Sequence, residues 1–550
     1  MDLTKNIKNF RRVQALLPAE YRKQGVIVAG SVFVRAILNF AGLAAFIPIL
    51  TSILDPEKSN PLPICLAVFA FIVVKNIISI WLGGVQIRYT NNLFCYFSEK
   101  LYDNYFQRGL LFVKKTPSAA LSNKVNGVCY QFSNVVSLFF TMIVEALLLF
   151  FIWGGIFIYS FKIALLILIC FIPIVWIYLN TVRNKLRLYG KAENEAHWKQ
   201  WRTVTETFKG YAEVKLNDAF PLFFKRFKDG LKEISGYREH TDRILRIPGS
   251  MIEIYAIAGL IVAVIFIRGN NDLRLAFGII ALAVMRMLPS LRTLLTGWMQ
   301  LKNSSYTIET IEETLQNVPS ETEDIAQTPL VFRHRIEIDR ISFSYPDNKD
   351  ELPVIQDFSL TIQKGERIGI RGVSGIGKST LFNLLLGFYY PQKGEIRIDG
   401  VPLDASTCAA WHKMVGYVPQ EVFILDGSLA ENIALGETTI DEERVKHVLI
   451  RSRLDAFVES LPEGLDTPLG ENGCRLSGGQ RQRIGIARAL YKQAEVLFFD
   501  EATSSLDQQM EQEIAETFNE LSVTDKKLTL IMIAHRESSL VFCDRIINLS

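Results

Sequence analysis

The chain has 550 residues, too many for one ordinary domain, and 49% are hydrophobic against 21% charged. A formal net charge of +3 leaves no basic surplus of the kind nucleic-acid binding requires, so no nucleic acid is expected as a partner. The seven cysteines form no CxxC pair and read as reduced thiols, not as a disulfide framework or a zinc site.

Long apolar stretches fill the first three hundred residues. Six of them reach the roughly twenty residues needed to cross a bilayer. They lie near 26–50, 62–83, 136–159, 162–182, 247–268 and 274–296. Spans three and four are joined by the short link Tyr159-Ser-Phe-Lys162, and spans five and six by Arg268-Gly-Asn-Asn-Asp-Leu-Arg274. Both read as tight external turns. The segments between spans two and three, and between four and five, are long, charged and helix-patterned, and read as cytoplasmic helical extensions. Lys5, Lys8, Arg11, Arg12, Arg22 and Lys23 precede the first span, whereas Lys58 is the only base in the loop that follows it. That asymmetry places the N-terminus in the cytoplasm. An even number of spans returns the remainder of the chain to the same side. The loop around Asp55-Pro-Glu-Lys-Ser-Asn60 leaves little room for an added external helix.

The remainder reads as a soluble α/β domain. Gly372-Val-Ser-Gly-Ile-Gly-Lys-Ser379, followed by Thr380, reads as a P-loop. Gly372, Ser374, Gly375 and Gly377 let backbone N–H groups close around phosphates. Lys378 brings a cation to them, and Ser379 offers a hydroxyl to Mg²⁺. Val496-Leu-Phe-Phe-Asp-Glu501 is an apolar run ending in two acids. It reads as a buried parallel strand that delivers carboxylates at its C-terminal end, where α/β sheets place their ligands. Asp500 would hold the Mg²⁺ shell and Glu501 would polarise the attacking water. Phosphoryl transfer asks mainly for positioning and charge neutralisation.

Leu476-Ser-Gly-Gly-Gln480 resembles the signature of the ATP-binding-cassette (ABC) family. In that family the signature closes over ATP held by a partner, so Ser477, Gly478, Gly479 and Gln480 would cap the γ-phosphate of a second copy of the chain or of a related half-transporter. The resemblance implies further roles. Tyr345 matches the aromatic that stacks on adenine. Gln420 matches the glutamine that touches Mg²⁺ and water and faces the membrane domain. Asp507, in Ser504-Ser-Leu-Asp507, matches the loop that crosses to the partner, and His535 the histidine at the γ-phosphate. Ser505 departs mildly from the alanine common among relatives. Thr467-Pro-Leu-Gly-Glu-Asn-Gly473 resembles the loop that exporters of this family set against their membrane domain.

These readings give an α-helical six-span membrane domain with cytoplasmic helical extensions over 1–318, a linker over 319–333, and an α/β P-loop ATPase domain over 334–550. The resemblance implies a half-transporter in a bacterial inner membrane, its ATPase domain cytoplasmic, working as a homodimer with ATP and Mg²⁺. The segments near 115–126 and 204–214 are expected to couple the two domains.

Cargo is read from charges inside the spans. Arg35, Lys75, Arg286 and Arg292 stand against Glu145 and Glu253. Intramembrane charges are costly and usually face protein or a water-filled cavity. The positive excess suits a phosphate or pyrophosphate group. A structural reading stands beside it, with Arg35 pairing with Glu145 or Glu253, and Arg292 snorkelling outward. Met285-Arg-Met-Leu-Pro-Ser-Leu-Arg292 resembles the sixth span of bacterial flippases of lipid-linked oligosaccharides. The expected cargo is therefore an anionic lipid-linked glycan such as a polyprenyl-diphosphate oligosaccharide. Lipid or drug export, peptide export, and a membrane ATPase acting as gate or sensor are the alternatives.

Overall fold

The computed structural model describes residues 17–54, 61–159, 161, 165, 189, 192–193, 195–267, 273–316, 328–346, 353–500, 516, 528–534 and 540–549. The fourth expected span, 162–182, lies almost wholly outside them. The chain divides into two units, residues 1–106 with 116–318, and residues 107–115 with 319–550.

Unit one is helical. Its main helices are α1 (Ala19–Ala44), α2 (Pro61–Gln107), α4 (Cys129–Tyr159), α5 (Phe220–Ile267) and α6 (Leu273–Asn303). Among the described residues, three stretches are long and apolar enough to cross a membrane: Ala19–Ser52, Leu62–Gln107 and Ser118–Ile158. At 1.5 Å per residue, α2 is about 70 Å long, more than twice the ~30 Å hydrocarbon core, so it leaves the bilayer as a continuous helical extension. The fifth expected span is likewise the C-terminal part of one long helix, α5, and the sixth lies within α6. Phe69, Val74, Ile77, Ile80 and Trp81 of α2 are all exposed, a surface that fits lipid and not water. The first apolar stretch is broken. α1 stops at Ala44 and a second helix, Ile47–Leu54, begins just before Pro48, whose ring favours the first turn of a helix. The connection around residues 55–60, where little room for an added external helix is expected, lies outside the described residues.

α4 is the centre of this unit and packs on both α1 and α6. Leu148, Ile152 and Ile156 of α4 bury against Ala283 and Met287 of α6, with Phe40 and Leu43 of α1 alongside. The segment near 115–126 stays in this unit as helix Ser118–Ser122 and the π-helix Asn123–Val128. The residues just before it behave differently. Helix α3 (Gly109–Lys115) belongs to unit two, where Leu110 and Leu111 pack on the core of the sheets. The segment near 204–214 reaches a turn at Gly210 and continues as the short helix Tyr211–Leu216.

Unit two holds two sheets. Strands β1 (Arg335–Phe343), β2 (Ile355–Gln363), β4 (Lys393–Ile398) and β5 (Val401–Pro402) form an antiparallel sheet in the order β2-β1-β4-β5. Strands β3 (Arg367–Arg371), β6 (Val415–Val418), β7 (Val496–Asp500), β8 (Thr529–Ile533) and β9 (Arg545–Asn548) form a parallel sheet in the order β6-β7-β8-β3-β9. Val496–Phe499 and all of β8 are buried, as strands covered on both faces must be. On one face Val496, Phe498 and Ile531 meet the antiparallel sheet and helix α7 (Lys378–Leu385); Phe382 lies edge-on to Phe498 at 5.3 Å. On the other face Val418, Leu497 and Phe499 meet helix α8 (Gly478–Tyr491) through Ile484 and Ile486.

Asp399 ties the antiparallel sheet to the chain entering it. Its carboxylate accepts from the backbone N–H groups of Arg333, His334 and Arg335. Burial would raise this carboxyl, but the three donors outweigh it and hold the group below the ordinary carboxylate value. A carboxylate depressed on folding stabilises above its unfolded value and loses that contribution as pH falls. Asp399→Asn is therefore expected to melt below wild type at pH 7. Thermal denaturation should show the gap narrowing as pH drops below about 4, where the wild-type carboxyl protonates as well.

Candidate active site

The P-loop follows β3 and Asp500 ends β7, with only β8 between them. Strands neighbour each other at about 4.8 Å, so the two loci open at the carboxyl ends of the sheet about 10 Å apart. That is a span of the size of a nucleotide's phosphates.

Local geometry explains the loop's composition. Gly375 and Gly377 take φ of +84° and +108°, conformations that favour glycine. A Cβ at Gly375 would meet nothing within 4 Å, so the loop encloses open space there; at Gly377 it would meet Val354 at 3.1 Å. Gly377 is the N-cap of α7 and brings no side-chain cap, which leaves the helix's first N–H groups facing the loop. Lys378 is 4% exposed, and its ammonium donates to the carbonyls of Gly372 at 3.0 Å and Val373 at 3.2 Å. The lysine is thus folded across the mouth of the loop, the position from which it can meet an anion. Ser374 and Ser379 are exposed, and Thr380 is buried. Thr380 Oγ1 lies 2.9 Å from the Tyr345 hydroxyl. Tyr345 is half-buried, edge-on to Phe343 and Tyr389, and so is held beside the first turn of α7.

The signature forms the start of α8. Ser477 Oγ accepts from the backbone N–H of Gln480 at 3.2 Å, and Gln480 Oε1 accepts from the N–H of Ser477 at 2.8 Å. This reciprocal capping box fixes the helix start. It leaves Gly478 and Gly479 N–H groups and the Ser477 hydroxyl proton available to an anion. Further along α8, Gln482 Nε2 donates to the backbone oxygen of Gln420 at 2.8 Å. Arg488 donates to Asn432 O and Phe423 O, both at 2.5 Å, and to Asn432 Oδ1 at 2.8 Å. Burial pushes its guanidinium down to about 10. The signature helix and the loop after Gln420 are consequently bound into one piece. Sequence reading did not single out Gln482 or Arg488.

Asp500 is half-buried, and the Tyr417 hydroxyl donates to its Oδ2 at 3.3 Å. Burial raises the Tyr417 phenol, and the nearby Asp500 charge and its hydrogen bond add to this, so the phenol stays a neutral donor. Tyr417 was also missed from sequence. The signal was a lone polar side chain in the apolar strand Val415-Gly-Tyr-Val418. The Ser379 hydroxyl, the Gln420 amide oxygen and the Asp500 carboxylate are hard oxygen donors of the type that suits Mg²⁺ in company with phosphates. Among the described residues no group of three His, Cys, Asp or Glu is gathered as a self-sufficient metal cage. Glu501, Asp507 and His535, with Ser505, lie outside the described residues.

In the membrane unit the four cations are not gathered alike. Arg35 Nη1 donates to Gln86 Oε1 at 2.9 Å, and Gln86 in turn donates to the Ser137 carbonyl at 3.0 Å. Arg35 Nε is buried without a hydrogen-bond partner. Lys75 Nζ donates to Asn39 Oδ1 at 3.4 Å and lies close enough to Arg286 for their charges to interact. Glu145 accepts from the Ser290 hydroxyl at 2.5 Å, joining α4 to α6. Arg286 is half-buried, whereas Arg292 and Glu253 are exposed.

Residues 355–504 match the family model described as ABC transporter. This part of the chain is an ABC transporter ATPase domain. It binds ATP, and the helical membrane domain precedes it in the chain. Among solved structures, a bacterial Atm1-family ABC exporter with ATP bound shares the fold at a TM-score of 0.82, with 22% identity over 96% of this chain and 93% of that one. The chain is 28% identical to a Burkholderia pseudomallei (strain 1710b) protein named ATP-dependent lipid A-core flippase, over 85% of its own length and 78% of the relative. A Bordetella avium protein of the same name is 27% identical over 94% and 89%. One from Alkalilimnicola ehrlichii is 42% identical over 48% of this chain and 44% of the relative. The chain is thus a membrane protein that hydrolyses ATP to drive transport.

Proposed function

We propose that the transporter exports or flips an anionic amphipathic lipid across a bacterial inner membrane, working as a dimer of two identical copies. The first candidate cargo is a polyprenyl-diphosphate-linked oligosaccharide. Lipid A-core, the cargo in the relatives' names, is the second. The N-terminus and the ATPase domain face the cytoplasm in this reading.

One observation carries the choice of an anion. Arg35 and Lys75 lie between the first two membrane helices and hydrogen-bond there to neutral amides, those of Gln86 and Asn39. Among the described residues neither makes a direct salt bridge; the Glu145 carboxylate accepts from Ser290. Glu145 still lies near enough to Arg35 for their opposite charges to attract, without a direct salt bridge. Cations held in a low-dielectric setting by neutral groups favour an incoming phosphate.

At the ATP site, Lys378 and the N–H groups of the P-loop would hold the β- and γ-phosphates. Ser379, Gln420 and Asp500 would serve Mg²⁺, which supplies charge neutralisation on the transferred phosphoryl group. Glu501 would orient the attacking water, with His535 at the γ-phosphate. Ser477 and Gly479 of the second copy would close on the same phosphate, and Asp507 would cross between the copies. Loss of that phosphate removes the charge that bridges the copies. Only differential contact between the two states can drive the membrane helices. The cytoplasmic ends of the long helices are the natural levers.

The test is transport in sealed proteoliposomes with the ATPase domains outward, using a fluorescent polyprenyl-diphosphate sugar and lipid A-core in parallel. ATP-dependent movement is expected in wild type and not in Glu501→Gln. Arg286→Ala and Arg292→Ala should slow movement several-fold, with ATP hydrolysis followed in the same vesicles. Movement of lipid A-core alone would select the second cargo. Hydrolysis without movement of either would turn the assignment toward drugs or peptides, or to a gate or sensor.

A further inference from the structure

Tyr417 does more than fill space in the core. Its neighbours in β6, Val415 and Val418, are buried to 4% and 0% exposure, whereas Tyr417 keeps 36%. Register explains where it points. Tyr417 pairs with Phe498 across the parallel ladder, and Asp500 lies two residues further along β7. Side chains two apart share a face, so Tyr417, Phe498 and Asp500 lie on one side of the sheet. This is the side on which α7 and its P-loop start are packed. The phenol then reaches the carboxylate diagonally and donates to Oδ2.

An aspartate at the end of a strand has a broad, roughly two-fold χ2 preference, so its carboxylate turns readily unless something fixes it. A phenol can only donate to a carboxylate oxygen, and it occupies one of the two. We propose that Tyr417 is a positioning residue for ATP hydrolysis, holding one oxygen of Asp500 so that the other faces the divalent cation accompanying the nucleotide. This rests on the reading of Asp500 as the carboxylate that serves that cation. The same strand leads, three residues on, to Gln420, whose backbone oxygen is fixed by Gln482. β6 thus carries Tyr417, and the two residues that follow the strand end on Gln420. A phenylalanine at 417 would keep the ring contacts and lose only the donor.

The experiment uses the full-length protein in detergent or nanodiscs with a non-hydrolysable ATP analogue. Mn²⁺ binding is followed by electron paramagnetic resonance in wild type, Tyr417→Phe and Asp500→Asn, and analogue binding is measured separately in EDTA. Tyr417→Phe is expected to weaken Mn²⁺ binding about three- to tenfold, the range for one typical intramolecular hydrogen bond, as suits a contact of 3.3 Å. Its affinity for the metal-free analogue should equal wild type. In steady state, the Mg²⁺ concentration for half-maximal hydrolysis should rise, with kcat recovered at saturating Mg²⁺. A ring that only packs would move none of these. Unchanged Mn²⁺ binding in Tyr417→Phe, with weakened binding in Asp500→Asn, overturns the role of Tyr417 alone. Unchanged binding in both variants overturns the reading of Asp500 and, with it, that of Tyr417.

Discussion

Replacing Lys378 by alanine is expected to lower ATP hydrolysis on the order of 10²–10³-fold, the cost of losing one pre-placed donor to a developing oxyanion. The ammonium is 4% exposed and already held by Gly372 and Val373 carbonyls, so it is aimed before any nucleotide arrives. A buried cation that trades two carbonyls for phosphate oxygens gains much more than an exposed one would, because screening there is weak. Lys378→Arg should not rescue. Arginine presents a wider planar fork, and the site around residue 378 is closed by α7 and the loop. The deletion also removes the two contacts that hold the loop to its own helix, so thermal denaturation belongs beside the kinetics. Loss of nucleotide affinity and hydrolysis with an unchanged melt would place the effect on the phosphates. A melt lowered by several degrees would assign part of it to the loop's own stability.

The parts of this molecule that were legible in sequence are those whose chemistry is contiguous. The P-loop needs glycines at fixed offsets because Gly375 and Gly377 must take positive φ within three residues of each other. The signature needs Ser477 and Gln480 because a capping box is built from residues three apart. Spans one to three were legible because bilayer thickness sets a length that composition reveals directly. What escaped depends on residues brought together by the fold. Tyr417 and Asp500 are 83 residues apart, and Arg488 and Asn432 are 56 apart; neither pairing can be read without strand register and helix packing. The partner of Arg35 was sought among acids, since ion pairs are what intramembrane charges suggest. The fold supplies a glutamine 51 residues away and gives Glu145 to a serine 145 residues on. The break after Ala44 was visible in Pro48 and was masked by the evenness of the apolar run. The docking of Leu110 and Leu111 in the ATPase unit had no local signal, because two leucines near the end of a long helix look like any helix end.

The second large effect distinguishes a site shared between copies from one completed within a chain. Ser477→Asp keeps an N-cap, since aspartate caps as well as serine, and places a carboxylate where a γ-phosphate would arrive. Hydrolysis should fall on the order of 10²-fold or more, the cost of losing one such donor with like-charge repulsion added. Nucleotide binding at the variant's own P-loop should survive, unlike in Lys378→Ala. Both variants are then inactive alone, for different reasons. In a dimer of one Lys378→Ala copy and one Ser477→Asp copy, the two lesions fall in the same composite site if each signature serves the other copy's P-loop. The second composite site is untouched. Random assembly makes about half the dimers mixed, each with one good site of two, so co-expression should restore about a quarter of wild-type hydrolysis. If each signature served its own P-loop, the lesions would fall in different sites of the mixed dimer, and the mixture would stay as inactive as its components. Hydrolysis by the co-purified, separately tagged pair reads this directly. A return of activity makes the two-copy sandwich the working unit. Persistent inactivity, with mixed dimers shown to form, removes it, and the charge release that was to loosen the copies goes with it.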